Sequence, residues 1–368
     1  MNGTIRGRRI ILIDLSVEIC GLKLRTPVIA ASGVTTRDGD SMLKSAEAGA
    51  GALVTMTISQ NAARVPRPCL AKVKDGLLSC EMWSELSVEQ WVKHEIPKAK
   101  RSGIPLIASV GFTADDVKKI APRMVDAGVD ALEIPLRSPS GATEIVRAAK
   151  GCGVPVFAKL MCPFSDMASA AREVESAGAD GLVVSGAVGP VLSIDVESSM
   201  PVLGAPGGFG YLSGPPVKPI SLRCIAEVAR AVSVPVIGCG GISSGKDIVE
   251  FIMAGAAAVQ VSSCVMLRGY RVYGILSDEL MKFMRIKNYR NIGDIKGKAL
   301  PHLPKETIKT SPTPVEVVAS KCTACGLCET HCPYGAIRVS GRVARVDPVK
   351  CYGCGLCVSI CPSYAIRY

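Results

Sequence analysis

The last 47 residues of this 368-residue chain contain eight of its sixteen cysteines, in two runs of identical spacing. Both runs follow C-x2-C-x2-C-x3-C-P, the first from Cys322 to Pro333 and the second from Cys351 to Pro362. Three thiols of each run share one short loop, whose glycines let the backbone turn its N–H groups towards the sulfurs. The end of the chain must therefore fold so that thiolates gather around metal.

This spacing is typical of bacterial two-cluster ferredoxins, in which the fourth cysteine ligates the cluster of the other run. It predicts two [4Fe–4S] clusters. One would be bound by Cys322, Cys325, Cys328 and Cys361, and the other by Cys351, Cys354, Cys357 and Cys332. Zinc also uses Cys-x2-Cys pairs, but a zinc site takes four ligands from two pairs, whereas here each run of four ends before a proline.

We expect a cytoplasmic protein without a membrane span. No stretch is long and apolar enough to cross a bilayer, and Asp14 interrupts the short apolar run near the amino terminus. Because that compartment keeps thiols reduced, the cysteines do not indicate a disulfide framework. The cysteines outside the two runs show no ligand spacing, and most are expected to be small buried residues, with Cys80 and Cys162 as candidates for a substrate-facing role. The full set outside the two runs is Cys20, Cys69, Cys80, Cys152, Cys162, Cys224, Cys239 and Cys264.

The formal net charge of +11 favours acidic partners, such as a phosphate-bearing cofactor, an acidic substrate or an acidic redox protein. A solvated basic surface is the alternative explanation. Lysine and arginine are scattered rather than grouped in a stripe, which argues against nucleic-acid binding.

Between Val28 and about Val265, short apolar runs alternate with amphipathic stretches. Glycine-containing signals such as Gly178–Gly181 precede several of the apolar runs, as helix C-caps do in repeated αβ units. Eight buried strands separated by helices predict an α/β fold, a (β/α)8 TIM barrel, followed by a small bacterial-ferredoxin-like α+β domain. The predicted strands are Val28–Ala31, Leu53–Ile58, Pro105–Val110, Ala131–Leu136, Pro155–Leu160, Gly181–Gly186, Pro235–Gly240 and Ala258–Ser263.

Active sites of such barrels lie at the carboxyl ends of the strands, and loops after strands seven and eight usually bind phosphate. Gly240 and Gly241 follow the seventh strand and precede a helix, and Ser262 and Ser263 end the eighth. Glycines let a backbone approach a phosphate, and a helix N-terminus supplies N–H donors. This part of the sequence predicts a phosphate site, with a plain tight turn as the alternative.

These stretches resemble the dihydroorotate dehydrogenase family, and especially the flavin-plus-ferredoxin end of dihydropyrimidine dehydrogenases. The resemblance covers nearly the whole chain. It rests on PVIAASG (Pro27–Gly33), LVTMTIS (Leu53–Ser59), FAKL (Phe157–Leu160), GYLSGPPVKPISLR (Gly210–Arg223), GCGGISSGKD (Gly238–Asp247) and IKNYRNIGDIKGKALPHL (Ile286–Leu303).

The resemblance implies FMN in the barrel mouth. Lys159 would face the N1–O2 edge of the flavin, where a cation stabilises the anionic reduced form; a solvated lysine at a strand end is the alternative. The phosphate would lie on Gly240, Gly241, Ser262 and Ser263, and the ring would be lined by Ala31, Ser32, Gly33, Thr57 and Gly214.

The chain departs from the family where the substrate should bind. The family's substrate loop resembles N-x-S-C-P-N, whereas the matching segment here is Pro135-Leu136-Arg137-Ser138-Pro139-Ser140. Asparagine is also absent from residues 76–86 and 183–195, and Met56 stands where the family has a lysine. A pocket without amide groups is expected to bind orotate or uracil poorly, because such groups both donate and accept hydrogen bonds.

Ser138 occupies the position of the family's general base, although a loop-capping serine is the alternative. Arg137 is a candidate clamp for a carboxylate or phosphate, or an exposed arginine. Further substrate candidates are Glu81, Trp83, Cys162 and Asp166.

The sequence thus predicts an oxidoreductase that moves a hydride between FMN and an activated carbon–carbon bond of a small acidic or carbonyl-conjugated substrate. Two clusters would relay electrons to a partner, by resemblance an NAD(P)H-oxidising flavoprotein subunit or a ferredoxin, within a homodimer or hetero-oligomer. A true dihydropyrimidine or dihydroorotate dehydrogenase and a non-catalytic electron-relay subunit are the alternatives. The predicted domains are the barrel (1–300), a Pro-rich linker (301–314) and the ferredoxin-like domain (315–368).

Overall fold

The structure is a computed structural model that describes residues 12–161, 166–304 and 310–368, together with the backbone of the short paired strands Thr4–Ile5 and Arg8–Arg9. The substrate candidate Cys162 lies outside the described residues. The chain forms two compact units, Met1–His302 and Leu303–Tyr368.

The first unit is built on a closed barrel of eight parallel strands, which confirms the predicted fold class. Each strand is a short, mostly apolar run whose residues are buried, as expected for strands covered on both faces. In chain order the strands are β1 (Val28–Ala30), β2 (Ala52–Val54), β3 (Leu106–Ser109), β4 (Ala131–Leu136), β5 (Val156–Leu160), β6 (Gly181–Val184), β7 (Val236–Cys239) and β8 (Ala258–Val261).

Helices follow the strands and pack their apolar faces on the outside of the barrel. Side-chain caps mark several starts: the Thr113 hydroxyl accepts a hydrogen bond from the Asp116 N–H at 3.1 Å, one turn into α3. The helices are α1 (Gly39–Glu47), α2 (Val88–Gln90, continuing through the π-helical turn Trp91–Glu95 to Ile96–Lys100), α3 (Ala114–Asp126), α4 (Ala142–Lys150), α5 (Met167–Ser176), α6 (Lys218–Ala229), α7 (Gly245–Met253), α8 (Ser263–Arg268) and α9 (Val272–Lys287).

The amino-terminal half of the barrel interior is apolar. Side chains such as Ile29, Val54, Ile107 and Phe157 form one buried cluster there. The hairpin of Val17–Ile19 and Leu22–Leu24 contributes Ile19, Leu22 and Leu24 to the same cluster. The hairpin therefore closes the amino-terminal end of the barrel, and polar chemistry is confined to the opposite end.

Two insertions at the carboxyl end build an antiparallel sheet that the sequence did not predict. The insertion after β2 contributes Leu70–Val73 and Gly76–Ser79, and the insertion after β6 contributes Val188–Val191 and Gly210–Ser213. Gly210–Ser213 pairs with Gly76–Ser79, which joins the two insertions. The second insertion also carries a small hairpin, Ile194–Asp195 with Met200–Pro201.

The second unit contains two short helices and two two-stranded sheets. Glu316–Val317 pairs with Ile366–Arg367, which brings its beginning and end together, and Ile337–Ser340 pairs with Val343–Val346. The helices are α10 (Leu327–Thr330) and α11 (Leu356–Ile360), each inside one cysteine run. Its small core consists of Val315, Cys328, Ile337, Ala344 and Ile366, with other cysteines packed against it.

Among the described residues, no helix of either unit has the length and apolar character needed to span a membrane.

Candidate functional site

A buried cation lies inside the barrel near the carboxyl ends of the strands. Lys159 on β5 donates hydrogen bonds to Glu133 Oε1 on β4 (3.2 Å) and to Gln260 Oε1 on β8 (2.9 Å). Gln260 Nε2 donates in turn to Glu133 Oε2 at 2.6 Å. All three side chains are buried, so the polar triad of Lys159, Glu133 and Gln260 links strands on opposite sides of the barrel.

The triad keeps Lys159 charged. Burial alone would lower the pKa of the Lys159 ammonium, but the charge of Glu133, the nearby Cys239 and the hydrogen bond to Glu133 together raise the pKa above its ordinary value. An ammonium has three N–H donors, and among the described residues two oxygens accept from it. The remaining donor suits an anionic or carbonyl group of a bound molecule.

Hydroxyl groups form a chain beside β1, β2 and β3. Thr57 Oγ1 is 2.9 Å from Ser109 Oγ and 3.3 Å from Ser32 Oγ. Two of the proposed flavin-lining residues, Ser32 and Thr57, are therefore in direct contact, and Ser109 joins them. Gly33 lies next to Ser262. A Cβ built on Gly33 would be 3.2 Å from the Ser262 Oγ.

The loop after β7 is held tightly by its own helix. Asp247 accepts hydrogen bonds from the N–H groups of Ser243 and Ser244, both at 2.9 Å, and forms an ion pair with Lys218 at 2.7 Å. Although burial alone would raise it, these partners hold the pKa of the Asp247 carboxyl below its ordinary value. The loop is therefore anchored to α6 and α7 by hydrogen bonds and an ion pair.

Glycine is required within that loop. Gly241 has φ +85°, and a Cβ there would lie 2.5 Å from the backbone nitrogen of Lys218. A Cβ on Gly240, where φ is +107°, would lie 2.5 Å from the Ser221 Oγ. Ser263 Oγ donates to Ser213 Oγ at 2.8 Å, at the start of α8. The seventh and eighth strands thus end in close-packed backbone with neighbouring hydroxyls.

A cation–aromatic stack lies at the ends of three neighbouring strands. The Arg137 guanidinium, just after β4, is 4.1 Å from the ring centroid of Phe112, which follows β3. Phe112 meets Trp83 of the insertion after β2 edge to face, with centroids 5.6 Å apart, and Trp83 Nε1 donates to the Asn61 carbonyl at 2.7 Å. Arg137 is exposed, and no described residue accepts a hydrogen bond from it or pairs with its charge.

Three other predicted residues lie in different surroundings. Ser138 is exposed, and its Oγ accepts a hydrogen bond from the Ser140 N–H at 3.2 Å. The Asp166 carboxylate accepts from the Ser169 N–H at 2.8 Å and caps α5. Glu81 is half-buried, and its Oε1 accepts from Cys69 Sγ at 3.2 Å. Burial and this carboxyl group raise the pKa of the Cys69 thiol to about 11.

The second unit gathers the cysteines into two concave pockets. The first-run pocket contains Cys322, Cys325, Cys328 and Cys361. The second-run pocket contains Cys351, Cys354, Cys357 and Cys332. Each pocket is thus lined by three cysteines of one run and the fourth cysteine of the other. Among the described residues, no three cysteine, histidine or acidic side chains converge as ligands of a single metal ion. A cubane differs from such a site, because each of its thiolates binds a separate iron.

A barrel with a buried cation at its carboxyl end, followed in the chain by a unit with two thiol-lined pockets, is typical of iron–sulfur oxidoreductases built on a TIM barrel. Residues 14–284 match the family model described as dihydroorotate dehydrogenase, and residues 321–365 match that of the 4Fe–4S dicluster domain. The chain therefore belongs to the dihydroorotate dehydrogenase family and carries a 4Fe–4S domain. It is an FMN-dependent oxidoreductase of the class that acts on CH–CH bonds.

Two curated relatives are catalytic subunits of dihydroorotate dehydrogenase B (NAD(+)). The protein of Thermoplasma acidophilum is 32% identical over 305 residues, covering 78% of this chain and all of that protein. The protein of Methanosarcina mazei is 36% identical over 305 residues, covering 77% of this chain and 95% of that protein. A crystal structure of a dihydroorotate dehydrogenase from Eimeria tenella in complex with ferulenol shares the fold, with a TM-score of 0.66 at 22% identity over 79% of this chain and 89% of that one.

The sequence did not predict four residues of the site: Glu133, Gln260, Ser109 and Phe112. Glu133 and Gln260 carried a usable signal, because a charged or amide side chain inside an otherwise apolar strand needs a buried partner. Ser109 and Phe112 carried none, since a serine and a phenylalanine at a strand end are common without function.

Proposed function

We propose that this protein transfers a hydride between FMN and the activated carbon–carbon bond of a small acidic substrate, and that two [4Fe–4S] clusters exchange the electrons with a partner. The observation that carries the substrate assignment is Arg137, an arginine stacked on an aromatic ring, whose hydrogen-bond donors meet no acceptor among the described residues.

The proposed FMN site lies in the mouth of the barrel, at the carboxyl ends of its strands. Flavin supplies a two-electron carrier that takes a hydride and releases electrons singly. Lys159 would present its free N–H to the N1–O2 edge of the ring, and Glu133 and Gln260 would fix the ammonium in place. Ala31, Ser32, Gly33, Thr57 and Gly214 would line the ring. Gly240, Gly241, Ser262 and Ser263 would hold the phosphate.

The variant Gly241→Ala tests the phosphate site. We expect FMN to be lost while the iron content stays unchanged, because the new Cβ would clash with the Lys218 backbone and the positive φ would cost about 1–3 kcal/mol. The matched control is Gly128→Ala. Gly128 also has a positive φ (+98°), but a Cβ there would meet nothing within 4 Å. Flavin content read from visible absorption distinguishes the two variants, and full flavin in Gly241→Ala would contradict the assignment.

Two [4Fe–4S] clusters are proposed on the basis of the two pockets. Each pocket offers four thiolates, the ligand number of one cubane. The run spacing and the trailing prolines support clusters over zinc.

The proposed substrate class follows from the side chains that would contact the substrate. A guanidinium binds carboxylates with two parallel hydrogen bonds, and stacking on Phe112 limits the conformations of Arg137 before substrate arrives. The same loop contains no asparagine, and neither do residues 76–86 and 183–195. This end of the barrel therefore favours a carboxylate conjugated to a double bond over a neutral planar amide.

Ser138 is the proposed acid–base residue. Its Oγ accepts a hydrogen bond from the Ser140 N–H, so the hydroxyl proton remains available to a substrate carbon or oxygen. Glu81 and Trp83 are proposed to border the substrate.

The variant Arg137→Gln should raise the KM for acidic substrates about 10–100-fold with a smaller change in kcat, because a charge-assisted hydrogen bond contributes about 1.5–3 kcal/mol. Arg147→Gln removes an exposed arginine from α4 and should leave both constants unchanged. Steady-state kinetics of the two variants provide the measurement. The role of Arg137 would be refuted if Arg137→Gln and Arg147→Gln had the same KM.

The substrate class is tested by adding acceptors to the anaerobically reduced protein and following the return of oxidised flavin absorption. We expect unsaturated carboxylates without a pyrimidine ring, or their thioesters, to reoxidise the flavin, and orotate, uracil and thymine to leave it reduced. Reoxidation by a pyrimidine would instead support dihydroorotate or dihydropyrimidine oxidation, the second candidate, which the names of the relatives favour. Failure of every organic acceptor would support a relay subunit.

The relatives are named as catalytic subunits, which supports a partner for electron exchange. We propose an NAD(P)H-oxidising flavoprotein subunit or a ferredoxin in that role, a homodimer or hetero-oligomer as the assembly, and the cytoplasm as the compartment. An acidic electron partner would complement the net charge of +11.

A further inference from the structure

The two cysteine pockets differ in the hydrogen bonds that their sulfurs receive. Each pocket receives one backbone hydrogen bond of the same kind. The N–H of Ala336 donates to Cys332 Sγ at 3.4 Å, and the N–H of Ala365 donates to Cys361 Sγ at 3.3 Å. In both runs the donor lies four residues after the cysteine that precedes the proline.

The first-run pocket then receives two more hydrogen bonds. The N–H of Ala344 donates to Cys322 Sγ at 3.4 Å. The Ser363 Oγ lies 3.5 Å from Cys361 Sγ, and a thiolate ligand can only accept, so the serine hydroxyl is the donor in the metal-bound state. Ser363 is half-buried, which shields this contact in part from water.

The second-run pocket has an aromatic residue where the first-run pocket has the serine. Tyr334 lies two residues after Cys332, as Ser363 lies two residues after Cys361. The Tyr334 ring stacks on Tyr352 with centroids 4.7 Å apart, and both rings line the second-run pocket. Among residues 310–368, which the structure describes completely, three of the four hydrogen bonds to cysteine sulfur therefore belong to the first-run pocket.

We propose that Ser363 is a redox-tuning residue, which makes the first-run cluster the higher-potential member of the pair. Reduction adds one electron to a cubane, and the added negative charge spreads over the thiolate sulfurs. Hydrogen bonds to those sulfurs stabilise the reduced state more than the oxidised state and raise the potential. Electrons arriving in the domain settle first on the first-run cluster. This inference rests on the proposed presence of two clusters.

The test is an EPR-monitored redox titration of the full-length holoprotein and three variants. Ser363→Ala should lower the higher of the two potentials and leave the lower one unchanged. Tyr334→Ser introduces a hydroxyl at the matching position of the second-run pocket and should raise the lower potential. Ser359→Ala is the matched control: its Oγ donates to the Leu356 carbonyl at 2.8 Å rather than to a ligand sulfur, so neither potential should move.

Two results would overturn the inference. One is a Ser363→Ala protein with full iron content and unchanged potentials; the other is a shift confined to the lower potential. Failure of the two-cluster proposal is recognised separately, because the unchanged protein would then contain the iron of one cluster or none and would show fewer than two cluster signals.

Discussion

The variant Glu133→Ala should destabilise the barrel by about 3–5 kcal/mol, because it leaves the Lys159 ammonium buried without a counter-charge. Glu133 is 1% exposed, and it is the only described carboxylate that forms an ion pair with Lys159. The double variant Glu133→Ala/Lys159→Met should recover most of this loss, since replacing both members of a buried pair by apolar side chains is often neutral. Chemical denaturation followed by circular dichroism measures the free energy of unfolding.

Lys100→Met is the matched control for this experiment. It removes a lysine that pairs with Asp130 at 2.9 Å, but both side chains are about one-third exposed. Water screens such a pair, so the expected loss is about 0–1 kcal/mol. If Glu133→Ala proved no less stable than Lys100→Met, the triad would not be a dry, tightly coupled unit, and its proposed task of fixing Lys159 for the flavin would fail with it.

The second large effect concerns the cluster ligands. Cys361→Ala should remove the cluster of the first-run pocket, although Cys361 belongs to the second run in sequence. About half of the iron should be lost. The remaining EPR spectrum should match that of Cys328→Ala, whereas Cys332→Ala should match Cys357→Ala. Iron analysis and EPR of the four variants measure this pairing.

The opposite pairing, Cys361→Ala with Cys357→Ala, would show that each run binds its own cluster. Cys224→Ala provides the control, because this cysteine is buried in α6 of the barrel and lines neither pocket. Its iron content should equal that of the unchanged protein.

The barrel could be predicted from the sequence because its strands are buried on both faces and therefore read as continuous apolar runs. β5 and β8 are found where Pro155–Leu160 and Ala258–Ser263 were predicted, apart from residues at their ends. The sets of cysteines that the structure brings together could also be anticipated, because metal ligation imposes a fixed spacing on neighbouring residues.

The antiparallel sheet formed by the insertions after β2 and β6 could not be predicted in this way. Its strands are only four residues long, and Leu77 pairs with Ser213, 136 residues further along the chain. Such pairing depends on tertiary structure rather than on local pattern. Asp166 illustrates a local signal that was available: an aspartate three residues before Ser169, at the start of a helical stretch, is typical of an N-cap, and the structure gives it that role.

The most direct test of the central claim is an anaerobic reductive titration of the purified full-length protein, monitored by flavin absorption and EPR. One FMN and two [4Fe–4S] clusters predict about four electrons per chain, with bleaching of the flavin band and two cluster signals that appear as reduction proceeds. Uptake of about two electrons by the flavin alone, in a protein whose iron is fully present, would contradict an electron path that includes the clusters.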